Sequence, residues 1–207
     1  MFNMSSAEAN VDLAFTKDDG SPFIVTIPGS GTNSAFAFKL DPGAGVYVQT
    51  DGSGPLSTGA ATITSNAAVG SSAMFTVFDT TGRLQTEAGV GNAPVFKTMT
   101  VPINVAGNYS TGVALFNPGK TNTAVTLRLL DDKGKIVGSD VIFTLGSKSH
   151  LAKFANHWFP GLSNFSGSLA ISSEMELAAL ALRQFSSSNV LCYTTLPVAS
   201  GVAQGTR

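Results

Sequence analysis

Proton transfer near neutral pH falls to histidine more often than to any other side chain, and this chain of 207 residues has two, His150 and His157. A serine hydrolase would need one of them as general base, a hydroxyl within its reach and an acid behind it. Ser149, Ser163 and Ser166 stand near in sequence as nucleophile candidates, with Asp140, Glu174 and Glu176 as acids. The G-x-S-x-G signature of a nucleophile elbow occurs nowhere in the chain. Each histidine therefore reads first as a loop or interface residue. An esterase- or lactonase-like hydrolase using one of them with Ser163 or Ser166 is the alternative.

The carboxylate pairs Asp18-Asp19 and Asp131-Asp132 could offer oxygens to a cation. A calcium loop, however, alternates its ligands as D-x-[DN]-x-[DN]-G, which is absent here, and the two histidines have no third zinc ligand nearby. The same acidic residues, in Asp18-Asp19-Gly20 and Asp132-Lys133-Gly134, suit hairpin turns, where glycine supplies positive φ. Pro118-Gly119-Lys120-Thr121 ends like a phosphate-binding loop, but Ala114 stands where the first glycine belongs, so it reads as a turn. Trp158, between His157 and Phe159, is either a sugar-stacking platform or a plug at one end of an apolar core; with one Trp and three Tyr in the chain, the plug is expected. Cys192 is expected as a small buried core residue, and a single cysteine permits neither an internal disulfide nor a zinc cage. No cofactor is expected.

The elements that would position these residues are strands. Apolar residues alternate with polar ones at Val11-Leu13-Phe15, Phe36-Phe38-Leu40, Val125-Leu127-Leu129 and Val141-Phe143-Leu145, with turn residues between, as in antiparallel sandwiches. His150–Pro160 could form one or two helical turns. The run from Ser172 to Phe185 is rich in helix formers, yet it aligns with Ser71–Phe78, which reads as a strand, and is therefore expected to be one.

The chain also repeats itself. Shifted by 114 residues, Phe2-Asn3 falls on Phe116-Asn117, Val11 and Leu13 on Val125 and Leu127, and Gly20 on Gly134. Thr58–Ser65 then parallels Ser166–Ser173. The expected fold is all-β: two tandem antiparallel, immunoglobulin-like sandwich domains at 1–94 and 95–207. The second begins about twenty residues before its Phe116-Asn117, so the first is expected to lack its N-terminal strands. An unpaired sheet edge would follow, covered by a second copy or by an adjacent sandwich repeat.

Composition excludes several classes. Charged residues make up 12% of the chain, about half the ~25% of an ordinary soluble domain, and the net charge is −1. Nucleic-acid binding needs a basic surface, and none is present. The longest apolar run, Leu177 to Leu182, is far short of the roughly 18 residues that span a bilayer. Low charge with abundant Ser and Thr suits a secreted or cell-surface protein. Met1-Phe2-Asn3-Met4 has neither the basic nor the apolar region of a signal peptide, so the chain reads as a mature fragment or as part of a longer gene product.

The pattern Phe116-Asn117-Pro118, then Asp131 to Gly134, Phe159-Pro160-Gly161-Leu162, Leu177 to Arg183 and Thr194 to Val198 resembles the tandem β-sandwich repeats, about 110 residues long, of large secreted proteins from acidobacteria and other soil bacteria. The resemblance covers about 96–200 well and 2–90 weakly, since the first copy lacks the proline after Asn3 and the Phe-Pro-Gly-Leu segment. It implies a secreted, modular protein of adhesive or scaffold character, and it carries over no catalytic residue.

Overall fold

The computed structural model describes residues 1–188 and 190–201. The fold is all-β, built of antiparallel sheets of sandwich type. By its internal contacts the chain divides into two compact units. Met1–Ser72 with Lys148–His150 form the first, and Ala73–Ser147 with the chain from Leu151 onward form the second.

The first unit holds β1 (Phe2–Asn3), β2 (Ala9–Lys17), β3 (Val25–Ile27), β4 (Gly31–Asn33), β5 (Ala35–Leu40), β6 (Gly59–Ser65) and β7 (Val69–Gly70). β2 shows the period of two directly: Ala9, Val11 and Leu13 are buried while Asn10 and Asp12 are exposed. It lies between β5 and β6, β3 pairs with β4, and β1 pairs with β7. The core is small, with Ala9, Val11 and Leu40 at its centre and Met1, Phe38 and Ile63 packed around them.

The second unit holds β8 (Ser72–Phe78, from its second residue), β9 (Leu84–Gly91), β10 (Val95–Val105), β11 (Tyr109–Phe116), β12 (Thr123–Asp131) and β13 (Ile136–Leu145). β14 (His150–Phe154, from its second residue) follows, then a single helical turn α1 (Ala155–Trp158), β15 (Phe165–Ser187), β16 (Val190–Leu196) and β17 (Ala199–Ser200). β8 and β9, which the sequence match places in the first copy, thus group with the second unit.

β15 organises this unit. Its first part, to Ser173, lies between β12 and β10, and Leu177 and Ala178 still face the start of β10; its second part pairs with β11 from Ala178 and with β16 from Ala181. The ladder to β10 breaks between Phe96 and Thr98, so one strand serves two sets of neighbours. Val101, Leu115, Leu127 and Ile171, from four different strands, meet in one core with no exposure at all. Helix-forming residues around Glu176–Leu182 are held extended by strands on either side, so pairing overrides propensity there. Cys192 departs from expectation. It is exposed on β16, where Leu191 and Tyr193 are the half-buried residues, so the cysteine falls on the opposite parity of the strand.

Two buried asparagines carry the same hydrogen bonds. Asn117 Nδ2 donates to the carbonyl oxygens of Thr121 (2.8 Å), Gly146 (2.9 Å) and Leu145 (3.3 Å), while its Oδ1 accepts from the Gly119 amide (2.9 Å). Asn3 Nδ2 donates to the carbonyls of Ala7 (2.7 Å), Leu40 (2.9 Å) and Asp41 (3.2 Å), and its Oδ1 accepts from the Ser5 amide (2.8 Å). In each case one side-chain amide satisfies backbone groups where the chain leaves one strand and returns as the next. Strand register follows the same correspondence. Val11 faces Phe38 and Ser65, as Val125 faces Phe143 and Ser173; Lys17 faces Gly59, as Asp131 faces Gly167. At both glycines a Cβ would collide with a carbonyl oxygen, that of Thr16 or of Leu130.

Asn117→Ala would strand buried carbonyls and is expected to cost about 2–4 kcal/mol in urea denaturation. Asn117→Asp should rescue nothing, because a carboxylate has no proton for three carbonyls. An Asp variant of wild-type stability would contradict the assignment.

Candidate functional site

The histidines sit in different surroundings. His150, assigned by its contacts to the first unit, places Nδ1 2.8 Å from Asp18 Oδ1, and its backbone amide donates to the Asp18 carbonyl at 3.1 Å. The other Asp18 oxygen accepts from Thr58 Oγ1 at 2.7 Å. The imidazole is mostly covered, at 11% side-chain exposure, whereas the carboxylate is half exposed. From the sequence, Asp18 is a candidate metal ligand and Asp140, Glu174 and Glu176 are the candidate acids. In the fold the acid that meets His150 is Asp18, while Asp140 forms a two-pronged pair with Arg128 (2.8 and 2.6 Å) and Glu174 and Glu176 are exposed. Nothing in the local sequence joins residues so far apart; they meet only in the folded chain, through one backbone bond and the side-chain pair.

His157 lies on α1, exposed, edge-on to Phe154 with ring centres 5.8 Å apart. Ser163 is exposed in the turn after α1, and Ser166 is exposed on β15, opposite Asn104. Among the described residues neither histidine hydrogen-bonds to a serine, so the base and nucleophile of a hydrolase are not brought together.

The carboxylates of the turns are used by the backbone. Asp131 Oδ1 accepts from the Lys133 and Lys135 amides at 2.9 and 2.8 Å, with Gly134 at φ 77°. Asp79 repeats the arrangement with Thr81 and Arg83, both at 2.9 Å, and Gly82 at φ 80°. The motif D-x-x-G-[KR] is therefore a side-chain cap on a hairpin. In the first unit Lys17 replaces the leading aspartate of this motif, and Asp19 caps only the Ser21 amide (2.9 Å). Asp132 is exposed. Among the described residues no three His, Cys, Asp or Glu side chains form a metal-binding group.

Trp158 is the expected plug. It is 6% exposed, belongs to the core and stacks on Phe143 with ring centres 4.9 Å apart, which leaves no face for a sugar. Pro118-Gly119 forms a turn under the Asn117 amide and leads into β12, not into a helix. Two surface concavities stand out, one lined by residues of β4 and β5 (about 550 Å³) and one by Lys97, Pro118, Gly119, Met175 and Glu176 (about 300 Å³). Neither contains a histidine or a candidate serine.

What the first unit does present is an unpaired edge. β6 pairs with β2 on one side, and among the described residues no strand pairs with its other side.

The chain matches no family model and no curated protein sequence. Among solved structures it is similar to the crystal structure of Thermotoga maritima 1070, at 12% identity and a TM-score of 0.45, over 54% of this chain and 97% of that one. Among the described residues no helix is long and apolar enough to cross a membrane.

The cap at Asp79 has a pH signature. The Thr81 hydroxyl, foremost, and the Arg83 amide hold its carboxyl below the ordinary aspartate value of 3.8. A lowered value means that the cap's contribution is present above pH 3.8 and is lost as pH falls through the lowered value. Amide shifts of Thr81 and Arg83 followed by NMR should stay flat from pH 7 to pH 4 and move below that, roughly where carboxylates protonate. A midpoint above 3.8 would contradict the cap.

Proposed function

We propose that the chain is a non-catalytic structural or binding module, built of two tandem β-sandwich domains and acting through association with copies of itself or with adjacent sandwich repeats. The observation that carries this reading is the recurrence of one strand register and one asparagine clamp in both units, with the equivalent sheet edge covered in one and uncovered in the other. Such edges template pairing with another chain unless charge, proline or a covering segment guards them. β6 reads Gly-Ala-Ala-Thr-Ile-Thr-Ser and has none of these guards within it. A place among the secreted modular repeats of soil bacteria agrees with the low charge and the strand pattern.

The His150–Asp18 pair is the one observation that favours a hydrolase, since an imidazole oriented by a carboxylate is two-thirds of a triad. It lacks a serine partner among the described residues. A panel of ester and lactone substrates decides between the two readings. The module reading predicts no turnover above buffer and no change in His150→Ala or His157→Ala; turnover abolished by either substitution would overturn it. Association is read by sedimentation velocity, where a concentration-dependent shift toward dimer or higher is expected. A monomer at all concentrations, even with an adjacent repeat added, would contradict it.

A further inference from the structure

We infer that the free edge of β6 is a strand-acceptor site, and that its occupant is an antiparallel strand of the β10 type supplied by another sandwich module of this kind. The inference rests on the reading of the chain as an associating module and names the contact through which it associates.

The second unit supplies the template. The first part of β15 stands to β12 as β6 stands to β2: Ile171 faces Leu127 as Ile63 faces Leu13, and each ladder begins at a glycine, Gly167 or Gly59, that a neighbouring carbonyl closes off. The far edge of β15 carries β10, with Val101 opposite Leu169 and Met99 opposite Ile171. Under that cover Leu169 and Ile171 have no exposure. Their counterparts in β6 are less protected: Ala61 is exposed and Ile63 only half-buried.

The free edge offers backbone groups as well as apolar surface. Asn66 donates its amide to the Asn10 carbonyl and Phe15 to that of Ser34, which sets the alternation of the ladders. Even-numbered residues of β6 bond to β2, so the amides and carbonyls of Ala61 and Ile63 point away from it, toward the open side. A strand that fits pairs with these two residues and turns alternate apolar side chains inward, opposite Ile63 and Ala61. β10 has this character. Its inward residues are Met99, Val101 and Ile103, and its one proline, Pro102, stands at a position whose amide would point away from β15. Main-chain pairing would supply affinity and the alternate side chains specificity, as in strand addition generally.

The test uses the full chain and a synthetic peptide of its own residues Val95–Val105, with a scrambled peptide as control. Hydrogen exchange read by NMR should show the Ala61 and Ile63 amides slowing by about tenfold or more on adding the peptide and not on adding the control. Ala61→Pro removes an amide that a free edge strand does not use internally, so it should fold and lose the effect. Ala61→Lys, which guards the edge with charge, serves as the second variant should the proline disturb folding. Unchanged exchange at Ala61 and Ile63 with saturating peptide, or equal peptide binding by wild type and both variants, would overturn the site. If the chain still self-associates in sedimentation while these amides stay unprotected, the module reading stands and the β6 site alone falls.

Discussion

A β-sandwich must let its chain leave one strand and return as another without stranding buried backbone groups, and here a single buried side-chain amide solves that problem. Asn117 ties the end of β11 to the start of β12 and to the end of β13, and Asn3 does the same between β1, β2 and β5. Four backbone groups depend on each asparagine. No other uncharged side chain short enough for the site offers two N–H donors and an acceptor. The strand registers around each clamp follow from it, because a one-residue slip would turn Val11 or Val125 out of the core and pull its carbonyl partners out of reach.

From the clamps onward the units diverge in what covers the sheet. In the second, β10 and β11 close both parts of β15, and residues from every neighbouring strand share a large core. In the first, the strand that would correspond to β11 is two residues long, and no described strand occupies the place of β10. Its core is accordingly small, and apolar residues such as Phe2 and Met4 stay at least half exposed. A surface poor in charge does little to guard the edge that results. Stability and association are thus two sides of one packing problem in this reading.

Much of the fold was legible in the residues. Alternation located β2, β5, β12 and β13, and the 114-residue shift matched β2 to β12 end to end. The Asp and Gly residues at 18–20 and 132–134 marked their turns, though not the caps made by Asp131 and Asp79, and alignment to Ser71–Phe78 identified Leu177–Arg183 as strand against its helix propensity. What stayed hidden was partnership between distant segments. His150 and Asp18 meet through a tertiary contact between distant turns and strands that no local pattern encodes. The parity of Cys192 depends on how β16 registers against β15, and the grouping of β8 and β9 depends on where their contacts lie. Asn3 and Asn117 were visible as matching residues, but a polar residue beside apolar ones reads equally as a turn until its carbonyl partners are in place.

Among the described residues, β15 and its counterpart β6 differ in one respect, the presence of a neighbour on the far edge. Native-state hydrogen exchange of the dilute chain alone measures this residue by residue. In β15 the amides of Leu169 and Ile171 belong to the β10 ladder and should exchange only at the rate of global unfolding. In β6 the amides of Ala61 and Ile63 should exchange orders of magnitude faster while those of Thr62 and Thr64, bonded to β2, stay protected. Equal protection of all four β6 amides in a monomeric sample would mean that the far edge of β6 is not free.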